Sequence, residues 1–169
     1  MNRLTRICVV AAVVAGSAMA FSQAPPGAGP GGPNPEAAAR STIEARQAIF
    51  KLMGSQSGAI GGINRPNAPA PDLAVVARNA ERIQVLAGMI PEFFTANPTA
   101  PASVKTRALP GIWTGTADFK AKADALSKAA GAVATAAKAG NLDATKAAAR
   151  DVTAACSACH EAYRGPAAP

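Results

Sequence analysis

The chain has 169 residues, 49% of them hydrophobic but only 4% aromatic, and 17 Lys and Arg against 10 Asp and Glu give it a formal charge of +7. One Trp, one Tyr and no basic cluster argue against nucleic acid as a partner, since that interface needs a concentrated positive stripe. A mild basic excess spread along the chain favours acidic partners by long-range steering and nothing more specific.

The first twenty residues place Arg3 and Arg6 ahead of an apolar run from Ile7 to Ala15, followed by Ala18-Met19-Ala20. This is the pattern of an export signal cleaved near Ala20, so the expected location is the periplasm. The run is too short for a bilayer span, and no other stretch approaches the ~20 apolar residues a span needs. Cleavage removes Cys8 and both arginines, leaving Cys156 and Cys159 as the remaining thiols and 15 basic against 10 acidic residues. In an oxidising compartment two neighbouring thiols form a disulfide unless something else consumes them.

Residues 21–35 include APPGAGPGGPNP, which has too few apolar side chains to build a core and reads as a linker. The expected domain is 36–165, a normal size for one core, and the ending GPAAP reads as a flexible tail, set at 166–169. Within the domain, apolar residues recur at helical period four times. The first seam is Ile43, Arg46, Phe50, Met53, Ser57 and Ile60, and the second is Val76, Ala80, Ile83, Ala87, Ile90 and Phe94. The third is Phe119, Ala123, Leu126, Ala130, Val133 and Ala137, and the fourth is Leu142, Thr145, Ala149, Val152, Cys156, Cys159 and Tyr163.

Local signals punctuate these helices. Asp72 after Pro71 suits the cap of the second, Gly140 the end of the third, and Asn141 the cap of the fourth. Pro91 is expected to kink or restart the second helix before Phe93. The short third connection forces antiparallel neighbours, and seams of this spacing pack near-parallel, so the expected fold is all-α, an antiparallel four-helix bundle. Arg46 is out of place on an inward seam, because burying a guanidinium without a counter-charge costs several kcal/mol. Either it snorkels past a thin edge of the core or an anion from a bound group reaches it.

The fourth helix ends in DVTAACSACHEAYRG, which holds two cysteines and the single histidine of the chain within five positions. A redox dithiol wants its first cysteine at a helix N-terminus after a strand, whereas Cys156 lies about four turns into a helix. A structural zinc site wants four ligands, usually in two pairs, and no second pair exists in the mature chain. C-x-x-C-H is the attachment signature of c-type haem: both thiols add to the vinyl groups as thioethers and the histidine binds iron. On a helix, Cys156, Cys159 and His160 project from one face. One covalent haem c is therefore the expected cofactor, with His160 as its metal ligand.

The stretch C-S-A-C-H-E-A-Y-R on the last helix, A-R-Q-A-I-F-K-L-M on the first and P-G-I-W before the third together resemble the cytochrome c′ family over residues 36–165. That resemblance implies that Arg46 and Gln47 lie by the haem propionates, Arg164 near the proximal face, and Phe50 over the distal face of the iron. Relatives with methionine at the Phe50 position are six-coordinate electron carriers. Phenylalanine there implies a five-coordinate, high-spin haem that binds small diatomic gases such as NO and CO and transfers electrons to periplasmic partners that the sequence does not identify. The alternative is a six-coordinate carrier ligated by Met53 or Met89. The resemblance also places Trp113 at the haem edge, with a plug at the bundle end as the other reading. It implies a homodimer through the first two helices. No constellation for hydrolysis or group transfer appears, so the expected protein is not an enzyme.

Overall fold

The computed structural model describes residues 34–166 apart from 99 and 102. The helices run in the order α1 Pro35–Gly62, α2 Leu73–Phe93, α3 Gly111–Thr114, α4 Thr116–Lys138 and α5 Leu142–Tyr163. The four long ones are the four expected helices, and among the described residues the only strand-like feature is a single antiparallel bridge between Ala108 and Arg164. The single-turn α3 was not expected; it forms on the Gly-Ile-Trp segment just before α4. The export signal, most of the linker and residues 167–169 lie outside the described residues, among which no helix is long and apolar enough to cross a membrane.

The caps explain where the helices start. Asn34 accepts the Glu36 N–H at 3.0 Å with Pro35 in the first turn, so α1 begins one residue before the expected boundary. Asp72 accepts from Ala74 at 2.9 Å and Val75 at 3.2 Å, and Asn141 accepts from Ala144 at 3.0 Å, as read from the sequence. Gly140 adopts a φ of 70°, the left-handed conformation that ends α4. Pro91 does not restart α2, which runs unbroken to Phe93. Its ring falls in the last turn, where little helix remains to disrupt.

Packing decides the shape. Helix α2 lies against both α1 and α4, and α4 lies against α5, whereas α1 and α5 scarcely meet. The second and third seams are buried throughout, and Ala80, Ala87 and Ala130 are fully inaccessible, so methyl groups bring α2 and α4 close. On α1 the seam holds at Ile43, Arg46, Met53 and Ile60 but not at Phe50 or Ser57, while Ile49, which the seam omitted, is in the core. On α5, Thr145, Ala149 and Val152 are buried, Leu142 is exposed, and Cys156, Cys159 and Tyr163 are half-buried. Phe50, Ser57, Cys156, Cys159 and Tyr163 are left incompletely buried for one reason: they face the gap between α1 and α5.

The end of the chain also departs from expectation. Gly165, read as part of a loose tail, is buried; its N–H donates to the Arg107 carbonyl at 2.8 Å, and Arg107 Nε donates to the Gly165 carbonyl at 2.7 Å. The Leu109 N–H in turn satisfies the Tyr163 carbonyl at 3.0 Å, one of the groups a helix terminus leaves unpaired.

Two local substitutions test this account in urea unfolding. Asn141→Ala removes the α5 cap and is expected to lower stability by about 1 kcal/mol. Gly140→Ala puts a Cβ on a left-handed residue and is expected to lower it by about 1 kcal/mol.

Candidate functional site

The space between α1 and α5 is a cavity of about 1130 Å³, floored by Ile83 and Ile90 of α2 and Leu126 of α4. One wall is the face of α5 carrying Cys156, Cys159 and His160; Phe50 and Met53 of α1 belong to the opposite wall. Arg46, Gln47 and Arg164 also line the cavity, so the seven residues expected around the haem and the alternative ligand Met53 all border it. Met89 and Trp113 are not among its lining residues. Trp113 lies on the single-turn α3, where its Nε1–H donates to the Ala96 carbonyl at 2.8 Å.

Cys156 and Cys159 are not joined in a disulfide, and burial pushes both thiols up. For Cys159 the positive charge of Lys122 opposes that burial in part. A reactive dithiol or a metal-bound thiolate needs the opposite shift. Nor do the described residues contain a group of three or more His, Cys, Asp or Glu side chains able to hold a metal ion. Burial first, and then the charges of Arg164 and Arg107, push His160 down and so favour the neutral imidazole, the form that ligates iron.

Arg46 finds partners within the protein. It is only 5% exposed, yet Nε donates to the Phe93 carbonyl at 2.6 Å and Nη2 donates to the Ala96 carbonyl. Its guanidinium lies 4.7 Å from the Phe94 ring centre and 5.3 Å from that of Trp113. The negative end of α2 and two aromatic faces thus supply the counter-charge. Burial pushes its pKa down from the usual arginine value. Gln47, one position on, donates to the Lys105 carbonyl at 2.7 Å and ties α1 to the long loop.

Two features escaped the sequence reading. Tyr163 donates to Asp118 Oδ2 at 2.7 Å and packs edge-on against Phe119, with ring centres 5.2 Å apart. Ionising the phenol would set it against the Asp118 carboxylate, and its pKa is pushed up to about 12. The two residues are far apart in sequence and no local pattern links them. The second feature is that Gly54, Gly58 and Gly61 line the cavity on α1, and a Cβ at any of them would find nothing within 4 Å. These glycines do not serve close contact between helices; they leave a stretch of cavity wall without side chains.

The residues present fit a haem. Two thiols and an imidazole share one helical face, the surrounding walls are mainly apolar, and the cavity is far larger than a solvent-sized void. A family model described as Cytochrome C' matches residues 41–164. The chain belongs to the cytochrome c′ family. It is 34% identical over 123 residues to cytochrome c-554 of Cereibacter sphaeroides, covering 72% of this chain and 79% of that one. It is also 34% identical over 122 residues to cytochrome c' of Alcaligenes xylosoxydans xylosoxydans, covering 72% and 91%. Among solved structures, cytochrome c' from Thermochromatium tepidum superposes with a TM-score of 0.67 at 31% identity, covering 76% of this chain and 97% of that one. The family attaches a c-type haem covalently, and Cys156 and Cys159 are the thiols for it in this member.

Two measurements check the site. The Tyr163 phenol is expected to ionise near pH 12 in ultraviolet titration of the folded protein, and Asp118→Asn is expected to return it toward the ordinary tyrosine value of about 10. Arg46→Ala strands two carbonyls and the aromatic slot, and is expected to cost about 2–3 kcal/mol in urea unfolding.

Proposed function

We propose that the protein is a periplasmic cytochrome whose haem iron is ligated by His160 alone on the protein side, and which binds small diatomic gases and passes single electrons. Phe50 carries this reading: it stands on the α1 wall of the cavity that His160 also lines, packs edge-on against Phe94 with ring centres 6.2 Å apart, and has no lone pair for iron. The haem supplies an open coordination position and a one-electron couple. Phe50 and the apolar α2 residues exclude water and anions from the distal side, while Cys156 and Cys159 fix the group to α5. Arg46 and Gln47 would stand by the propionates, with Arg46 held in place by its carbonyl partners, and Arg164 would stand near the proximal face. The reading is supported by a variant of the Alcaligenes xylosoxidans cytochrome c prime solved as a nitric oxide complex, 31% identical with a TM-score of 0.62, covering 76% of this chain and 97% of that one.

The second reading, a six-coordinate electron carrier, rests on Met53, which also lines the cavity and is 8% exposed. Met89 lies outside the cavity and is not a candidate ligand on this geometry. It belongs instead to a group of exposed apolar residues on α1 and α2, with Leu52 at 55% and Val85 at 65%, which supports a homodimer through these helices.

Absorption and EPR spectra of the ferric protein discriminate the two. The expected result is a high-spin signal unchanged in Met53→Leu; a low-spin methionine-ligated spectrum that is lost in Met53→Leu would establish the second reading. For assembly, wild-type protein is expected to sediment as a dimer and Val85→Lys with Met89→Lys as a monomer.

A further inference from the structure

Residues 34–166 contain fifteen Lys and Arg and all ten Asp and Glu of the chain, Arg3 and Arg6 lying outside that range. Six of the fifteen line the cavity: Arg46, Arg65, Lys105, Arg107, Lys122 and Arg164. None of the ten carboxylates does. The rest of the domain therefore balances at nine cations against ten anions, and the positive excess lies among the residues that line this cavity. Neighbouring acids relieve this little. Asp118 reaches Lys122 at 3.7 Å, the one salt bridge made by the six among the described residues. Glu161 shares a separate, smaller cleft with Arg107 and Arg164.

The two propionates of a bound haem would neutralise two of the six and leave the opening positive. The cations are also spread out. Arg65 follows the C-terminal end of α1, whereas Lys105, Arg107 and Arg164 belong to the loop and helix end tied together by the Ala108–Arg164 bridge. From Arg46 to Gly62 alone, α1 runs for about 24 Å at ~1.5 Å per residue. No single small ion touches both ends of such a set, but a protein surface does. Arg65, Lys105 and Arg107 are exposed.

We infer that the mouth of this cavity is the docking surface for an acidic electron-transfer protein, drawn by this cluster of positive charge to the opening of the space a bound haem would fill. The inference rests on the haem reading above. The transfer is one electron from the reduced partner to ferric iron, giving oxidised partner and ferrous iron, with no bond made or broken and no proton moved. Steering of this kind raises association rates by ~10–10³ and fades as salt screens it.

The test uses the full-length, haem-loaded protein and a reduced acidic [2Fe–2S] ferredoxin as the probe, followed by stopped-flow absorption. The second-order rate constant is expected to fall about 10-fold or more between ~20 mM and ~500 mM salt. At low salt, Arg65→Glu with Lys105→Glu is expected to lower it by a similar factor. Lys128→Glu with Arg150→Glu, the same charge change on exposed residues outside the cavity lining, is expected to leave it within about twofold. Equal loss in both pairs would show that net charge alone acts, and no loss in either would remove the surface altogether; each overturns the docking site. A response to the first pair when ferricyanide oxidises the ferrous protein, but not when ferredoxin reduces the ferric protein, would overturn it in favour of a small-anion site. Failure of the haem reading is seen separately, as absence of the added haem mass and of Soret absorption before any mixing.

Discussion

The site depends on one edge of the bundle that does not close. Helices α1 and α2, α2 and α4, and α4 and α5 pack against one another, but α1 and α5 are held apart. Methyl groups at Ala80, Ala87 and Ala130 draw α2 and α4 together and make the floor of the bundle narrow and rigid. The bulk that the alanine-rich α4 and α5 lack is not replaced by larger side chains from α1, where Gly54, Gly58 and Gly61 face the gap. A hydrophobic core normally excludes voids of this size, because unfilled space forfeits both transfer and dispersion energy. The sequence thus encodes a bundle whose core is completed by something other than protein, and the family supplies the identity of that group.

Polar residues at the cavity are held by backbone groups. Arg46 and Trp113 converge on the carbonyl of Ala96, just beyond the end of α2. Gln47 holds the carbonyl of Lys105, and Arg107 and Gly165 exchange two hydrogen bonds across the chain end. Each contact ties a helix bearing a cavity residue to the long connection between α2 and α4. That connection, which is mostly irregular, therefore acts as a brace around one end of the site.

Much of this was legible in the sequence because it is local. The caps at Asp72 and Asn141, the left-handed glycine at 140 and the helical periods depend on neighbours within a few positions, and the haem motif packs its whole ligand set into five. What was not legible depends on distance. Phe50 and Ser57 fit an inward seam by period, but only the gap between α1 and α5 leaves them uncovered. Arg46 was recognised as needing a counter-charge, yet nothing in the sequence says that carbonyls at 93 and 96 provide it. The Tyr163–Asp118 pair and the Ala108–Arg164 bridge join segments far apart in the chain. Pro91 was over-read because its effect depends on how much helix follows it.

The glycines of α1 carry a further consequence. Four of them, at 54, 58, 61 and 62, fall within the last three turns of the helix, and each is less favourable than alanine by about 1 kcal/mol in a helix interior. A Cβ at any of the four would meet nothing within 4 Å. This half of α1 is therefore held by tertiary cover more than by its own propensity, and local opening should begin there. Anything that fills the cavity raises the free energy of that opening by mass action. Amide protection from Gly54 to Gly62 thus reports on occupancy of the cavity from the wall opposite His160.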